Sequence, residues 1–114
     1  MTASFDFSGK TALVVGGSSG IGNAIAQAYR HAGADVTVWG TRAAASDYDA
    51  SDMDGLTYAQ VDVTDRDALD AAAIPDVLDM AVLSQGLVKY DQAEYTREGW
   101  DDVMAVNITS LMDV

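Results

Sequence analysis

A glycine-rich turn near the N-terminus is the part of this sequence best suited to bind a ligand. Gly16, Gly20 and Gly22 follow a short apolar run (residues 12–15), and Ile21 begins a segment with helical spacing. In a strand–turn–helix unit, free backbone N–H groups and the positive end of the helix dipole point at a bound phosphate. Gly16 lets the chain turn sharply off the strand, and Gly20 lets a pyrophosphate approach the backbone. Gly22 lets the helix pack close to the sheet. The spacing predicts a pyrophosphate site, and a flexible loop without a ligand is the alternative.

This spacing, Gly-x-x-x-Gly-x-Gly, differs from the general dinucleotide pattern Gly-x-Gly-x-x-Gly. It resembles the loop of the short-chain dehydrogenase/reductase family, Thr-Gly-x-x-x-Gly-Ile-Gly, with Val15 in place of the threonine. The resemblance implies an oxidoreductase that transfers a hydride between a nicotinamide cofactor and an alcohol or ketone. The residues that it implies at the pyrophosphate are Gly16, Ser18, Ser19, Gly20, Ile21 and Gly22.

The end of the second predicted strand bears on which nicotinamide cofactor is bound. An acidic residue there accepts hydrogen bonds from the adenosine ribose and repels a 2′-phosphate. Gly40 stands where family members that prefer NAD carry aspartate, and Thr41 and Arg42 follow it. Because a hydroxyl and a guanidinium suit a phosphate, the resemblance favours NADP, with NAD as the other candidate. The alternative is that Arg42 is only a solvated surface residue.

Two later segments also match cofactor-binding positions of the family. Asp62 and Val63 match its acidic pair after the third strand, which implies that the carboxylate accepts from the adenine amino group while the next backbone N–H donates to the ring. Asp62 as a turn or cap residue is the alternative. Ser84-Gln85-Gly86 stands where the family has Asn-Ala-Gly, so only Gly86 is implied at the cofactor ribose.

Asn107 is the polar member of an apolar stripe on the last predicted helix. The apolar members of that stripe are Trp100, Val103, Met104, Ile108 and Leu111. A buried amide without partners costs about 1–3 kcal/mol, so we expect Asn107 to belong to a polar network. The family has an asparagine in this Val-Asn context, which implies a supporting role in the proton relay. An amide bonded to local backbone is the alternative.

The residues that carry out catalysis in this family lie further along than this chain extends. No tyrosine here is followed by a lysine four residues later, as the Tyr-x-x-x-Lys pair of the family requires. We therefore expect residues 1–114 to form one NAD(P)-binding domain that supplies the cofactor-binding half and has no turnover alone. The competing interpretation is a non-catalytic dinucleotide-binding or regulatory module.

Strands alternate with helices along the chain, which predicts an α/β, Rossmann-type parallel sheet with helices on both faces, truncated after about four strands. The predicted strands cover residues 11–15, 36–39, 56–61 and 77–83, and the predicted helices begin near residues 21, 65 and 97. Thr64 is the expected cap of the second helix, and residues 43–55 are expected to form a short helix or loop.

Helical spacing also predicts which face of the first helix is buried. The apolar residues expected to face inward are Ile21, Ala24, Ile25, Ala28 and Tyr29. The polar residues Asn23, Gln27 and Arg30 are expected to face solvent, and Gly33 to end the helix.

Composition narrows the classes of partner. The formal net charge is −12, from 16 Asp and 2 Glu against six basic residues, so we expect neither nucleic acid nor an anionic membrane as a partner. The absence of cysteine and the single histidine argue against a thiolate or zinc site. No apolar run has membrane-spanning length, and we expect a cytoplasmic protein. The apolar-periodic last residues carry no helix cap, so we expect a homo-oligomer or association with the catalytic half.

Overall fold

The computed structural model describes residues 4–114. The helices and strands in chain order are β1 (Thr11–Val15), α1 (Gly20–His31), β2 (Asp35–Gly40), β3 (Thr57–Gln60), α2 (Arg66–Ala71), β4 (Met80–Leu83), α3 (Arg97–Met104) and α4 (Ser110–Asp113). The described residues form two compact units. The first comprises the chain up to Gln60 together with Ala73–Ser84, and the second comprises Val61–Ala72 together with Gln85–Val114.

The first unit is built on a parallel sheet of four strands in the order β3-β2-β1-β4. Val15 at the end of β1 pairs with Trp39 on one side and with Leu83 on the other. Because the strands are parallel, their carboxyl ends lie along one edge, where ligands bind in sheets of this kind. The prediction of an α/β, Rossmann-type sheet of about four strands is confirmed.

The core of the first unit lies between the sheet and α1. Its members are small or β-branched side chains with at most 8 % exposure, namely Ala12, Val14, Ala26, Ala34, Val36 and Val38. Phe7 and Tyr29 border this core, with their ring centroids 5.4 Å apart. This packing holds the start of α1 against the ends of β1 and β2.

The prediction of the buried face of α1 is wrong in part. Ile25 and Tyr29 pack against the core as predicted, but Ala24 and Ala28 are exposed. Ile21 is 78 % exposed, whereas Gln27 is only 9 % exposed. The side-chain amide of Gln27 donates to the carbonyls of Asp52 and Asp54, over 2.8 and 3.0 Å. Asn23 also donates to the carbonyl of Asp52, over 2.8 Å. Apolar side chains cannot donate to these carbonyls, and so Asn23 and Gln27 lie on the side of α1 that contacts residues 52–54.

Smaller differences concern the ends of elements. Asp65, rather than Thr64, caps α2, because its carboxylate accepts from the N–H of Ala68 over 3.2 Å, while the Thr64 hydroxyl donates to Asp62. Strand β4 begins at Met80, three residues later than predicted. Residues 43–55 form a loop with one 3₁₀ turn, Ala45–Asp47.

The second unit contains α2, α3 and α4. The helix predicted from residue 97 onward is present, and a single π turn, Ala105–Thr109, joins α3 to α4. Sequence periodicity gave no sign of this π turn. It contains Asn107, and π turns are frequent at functional sites.

Candidate functional site

The glycine turn (residues 16–22) presents a row of backbone donors. Gly16 has φ of +77° and donates its N–H to the carbonyl of Trp39, over 3.0 Å, which anchors the start of the turn to β2. Over residues 4–114, the N–H groups of Ser18, Ser19, Gly20 and Ile21 donate to no protein acceptor. Donors of this kind at the start of a helix suit an anion such as a pyrophosphate.

Gly22 is the point at which α1 approaches the sheet most closely. A Cβ atom there would collide with the Gly16 carbonyl oxygen and with Oγ of Ser84, which follows β4. Ser84 is fixed in turn, since its hydroxyl donates to the carbonyl of Val15 over 2.8 Å. At Gly20, by contrast, a Cβ would meet nothing within 4 Å, so this part of the turn is open to a ligand.

Thr41 and Arg42 follow β2 in the same unit, at the same edge of the sheet as the glycine turn. Both residues are exposed, and the Thr41 carbonyl accepts from the side chain of Gln60 over 2.9 Å. The Arg42 guanidinium lies over the ring of Tyr48, with Cζ 5.0 Å from the centroid. The sequence-predicted phosphate residues of the first unit therefore lie together along one edge.

Two tyrosines that sequence reasoning does not single out contact Arg42. The Arg42 N–H donates to Tyr48 Oη over 2.9 Å, and the Tyr58 hydroxyl donates to the Arg42 carbonyl. Register could have identified Tyr58, because it pairs with Val38 on β2, two residues before Gly40. No local pattern points to Tyr48, which lies in the irregular segment after β2.

The pKa values of these two hydroxyls are shifted in opposite directions. Burial acts to raise the pKa of Tyr48, but its hydrogen bonds with Ser18, Tyr58 and the backbone of Arg42 and Thr41 together lower that pKa below its ordinary value. For Tyr58, burial comes first, followed by the hydrogen bond and charge of Tyr48 and the charge of Asp47, and these raise its pKa. Tyr48 is the more acidic member of the pair.

The remaining predicted site residues belong to the second unit. Asp62 is exposed, and its Oδ1 accepts from the N–H and the hydroxyl of Thr64, over 2.9 and 2.7 Å. The bonds of Oδ1 therefore fit the alternative interpretation, in which Asp62 is a turn residue. In the described part of the chain, Oδ2 of Asp62 has no hydrogen-bond partner. Val63 is buried, at 7 % exposure.

Asn107 uses both of its polar groups on one neighbour. Its Nδ2 donates to the Leu87 carbonyl over 3.0 Å, and its Oδ1 accepts from the Leu87 N–H over 2.8 Å. Asn107 therefore has the polar partners expected of it, and they belong to a backbone segment 20 residues earlier in the chain. Gly86 lies beside it, and a Cβ there would be 3.7 Å from Asn107 Oδ1, which is an ordinary contact.

Two other features, a cluster of metal ligands and a membrane-spanning helix, are absent from the described residues. No group of three or more His, Cys, Asp or Glu side chains between residues 4 and 114 is arranged to hold a metal ion. Within that same range no helix has the length and apolar character needed to cross a membrane.

Comparison with known proteins places this geometry in a family. A family model described as short chain dehydrogenase matches residues 10–114. The chain is 33 % identical to gluconate 5-dehydrogenase of Gluconobacter oxydans (strain 621H), covering 96 % of this chain and 47 % of that protein. It is 31 % identical to the 3-oxoacyl-[acyl-carrier-protein] reductase FabG of Chlamydia trachomatis serovar D, covering 92 % of this chain and 47 % of that protein.

Structural comparison gives the same result. A short-chain type dehydrogenase/reductase from Mycobacterium ulcerans matches with a TM-score of 0.74 and 28 % identity, over 96 % of this chain and 45 % of that one. The chain thus spans about half the length of the relatives that it matches.

Proposed function

The chain belongs to the short-chain dehydrogenase/reductase family, and on that premise we propose that residues 1–114 are the NAD(P)-binding domain of an oxidoreductase acting on an alcohol or ketone. The observation that carries the proposal is the row of N–H groups from Ser18 to Ile21, which have no protein acceptor over residues 4–114 and lie at the same sheet edge as Arg42. In the whole protein, the bound nicotinamide would supply or take up the hydride.

The glycine turn holds the pyrophosphate in this proposal. Ser18, Ser19, Gly20 and Ile21 donate their N–H groups to it, and the positive φ values of Gly16 and Gly20, +77° and +56°, shape the turn around it. Gly22 contributes by letting α1 approach the sheet. Backbone donors matter here because the protein carries a net charge of −12, which repels an anionic cofactor.

We assign the adenosine end to residues after β2, β3 and β4. Thr41 and Arg42 bind a phosphate on the adenosine ribose, which makes NADP the favoured cofactor over NAD. Asp62 and Val63 contact the adenine, for which Asp62 retains Oδ2 beyond its bonds to Thr64. Gly86 lies at the ribose region. Asn107 supports the proton relay by fixing the backbone at Leu87.

For the whole protein we propose a cytoplasmic enzyme that assembles as a homo-oligomer or through its catalytic half. The second unit supports this assembly, because α3, α4 and the π turn carry exposed large apolar side chains. These are Trp100 at 53 %, Ile108 at 56 %, Leu111 at 43 % and Met112 at 91 % exposure. Sedimentation at micromolar concentration tests the assembly, and a compact monomer would contradict it.

Fluorescence titration of the 114-residue chain with NADPH and NADH tests the cofactor assignment. We expect NADPH to bind more tightly, and Arg42→Gln to weaken NADPH roughly tenfold or more while leaving NADH unchanged. Arg97→Gln is the matched control, because it removes the same charge from an 84 % exposed side chain on α3. Tighter binding of NADH by the wild-type chain would overturn the preference for NADP.

A further inference from the structure

Tyrosine hydroxyls bind both backbone groups of Arg42. Its N–H donates to Tyr48 Oη over 2.9 Å, and Tyr58 Oη donates to its carbonyl. The two tyrosine oxygens are 3.1 Å apart. Because a carbonyl cannot donate, Tyr58 gives its proton to Arg42 when both hydroxyls are neutral, and in that neutral state Tyr48 donates to Tyr58. The result is a closed ring of three hydrogen bonds that fixes the backbone at Arg42.

The ring of Tyr48 also holds the side chain of Arg42. The guanidinium carbon lies 5.0 Å from the ring centroid, and a cation in this position is attracted by the face of the ring. One guanidinium nitrogen donates to the carbonyl of Asp47 over 2.6 Å. None of the carboxylates in residues 4–114 forms an ion pair with Arg42, so its charge is left for an anionic ligand.

Tyr48 connects this arrangement to the glycine turn. Ser18, a residue of that turn that is only 5 % exposed, acts to lower the pKa of the Tyr48 hydroxyl. A Cβ atom on Gly40 would lie 2.5 Å from Tyr48 Oη and 2.7 Å from Ser18 Oγ. The two hydroxyls thus fill the space into which an acidic side chain at the end of β2 would project. Arg42 is then the charged group placed to recognise this end of a ligand.

We propose that Tyr48 and Tyr58, here called the tyrosine clamp, are specificity-determining residues that position Arg42 to bind a phosphate on the adenosine ribose. They act through Arg42 and are positioning residues. The inference rests on the proposed function, since it requires that Arg42 binds this phosphate. Its physical basis is preorganisation, because a segment that is already ordered loses less conformational entropy on binding.

The test is titration of Tyr48→Phe and Tyr58→Phe with NADPH and with NADH. Each variant removes one hydroxyl and keeps the ring, so NADPH affinity is expected to fall roughly 3- to 10-fold. NADH affinity is expected to stay within about twofold, because NADH has no phosphate at this position. Tyr95→Phe is the matched control, since the Tyr95 side chain is 81 % exposed. Circular dichroism melting of each variant establishes that it folds.

A double-mutant cycle separates positioning from a merely structural role. In the Arg42→Gln background, Tyr48→Phe is expected to leave NADPH affinity unchanged. An undiminished effect there, or equal weakening of NADPH and NADH by both tyrosine variants, would overturn the clamp.

The same cycle distinguishes failure of the clamp from failure of the proposed function. If Arg42→Gln removes the preference for NADPH but the tyrosine variants do not, the clamp alone is wrong. If Arg42→Gln itself leaves NADPH affinity intact, the phosphate assignment is wrong and the clamp is overturned with it.

Discussion

The side-chain amide of Asn107 forms two hydrogen bonds with the backbone of Leu87, one as donor and one as acceptor. It donates to the Leu87 carbonyl over 3.0 Å and accepts from the Leu87 N–H over 2.8 Å. Asn107 lies in the π turn between α3 and α4, and so this pair ties the segment at Leu87 to the helical part of the second unit. One Nδ2 hydrogen and one Oδ1 lone pair of the amide are not used in these two bonds.

Removing the amide of Asn107 should destabilise the chain. In Asn107→Ala, both backbone groups of Leu87 lose a partner, and we expect the free energy of unfolding to fall by about 1–3 kcal/mol. Urea denaturation followed by circular dichroism measures this change. Thr109→Ala, at an exposed position of the same π turn, is the control and should alter stability by less than about 0.5 kcal/mol. Equal stability of the two variants would contradict the prediction.

Gln27→Glu should destabilise the first unit in a pH-dependent way. A carboxylate cannot donate to the carbonyls of Asp52 and Asp54, so we expect a loss of about 1–3 kcal/mol at pH 7. The carbonyl oxygens beside the new carboxylate disfavour its charged form and act to raise its folded-state pKa, whereas Arg30, whose Nε donates to Gln27 Oε1 over 2.9 Å, acts to lower it. We expect the two carbonyls to have the larger effect on this pKa. The loss is therefore present at neutral pH and shrinks as the pH falls toward about 4, which thermal melting at several pH values detects. Ala28→Glu, exposed on the same helix, controls for the added charge.

Gly22→Ala should disturb the glycine turn itself. The added methyl group would collide with the Gly16 carbonyl, so the turn must shift, and overpacking of this kind costs about 1–3 kcal/mol. If the turn holds the pyrophosphate, NADPH and NADH should lose affinity alike. Fluorescence titration and melting measure both effects. Ala24→Ser, exposed on α1, should change neither, and unchanged dinucleotide binding by Gly22→Ala would argue against the site.

Gly40→Asp alone should fail to create a preference for NADH. The new Cβ would lie 2.5 Å from Tyr48 Oη and 2.7 Å from Ser18 Oγ, so the side chain cannot occupy this position without displacing the hydroxyls. Gly40→Asp combined with Tyr48→Ala removes one obstacle, and we expect it to bind NADH more tightly than the single variant does. Parallel titrations with NADH measure this difference. A single variant that folds normally and prefers NADH would contradict it.

The tyrosine clamp should make stability fall at alkaline pH. Burial and the neighbouring Tyr48 raise the pKa of Tyr58 above its unfolded value of about 10, so its contribution is complete below pH 10 and is lost as the pH rises further. Tyr48, with its lowered pKa, acts in the opposite sense, since its contribution grows as the pH rises toward about 10. Above pH 10 we expect the wild type to lose more stability than Tyr58→Phe does. Thermal melting between pH 8 and 11 tests this, with Tyr95→Phe expected to follow the wild type.

Local signals were sufficient for the order of elements and for the glycine turn. The apolar run at residues 11–15, the turn glycines and Gly33 are local features, and β1 and α1 have the predicted positions. The left-handed φ of Gly33, +99°, is a property that local chemistry selects. The sequence thus determined the α/β class, the four parallel strands and the family, because each depends on residues adjacent in the chain.

Tertiary structure alone decided that the polar Gln27 is buried on α1 and what surrounds Arg42. Gln27 is buried although it is polar, because its amide donates to the carbonyls of Asp52 and Asp54 in the loop between β2 and β3. Tyr48 and Tyr58 reach Arg42 because β3 pairs with β2 and the loop between them folds back. Helical periodicity measures only apolar character, and it carries no information about hydrogen-bond partners that distant segments supply.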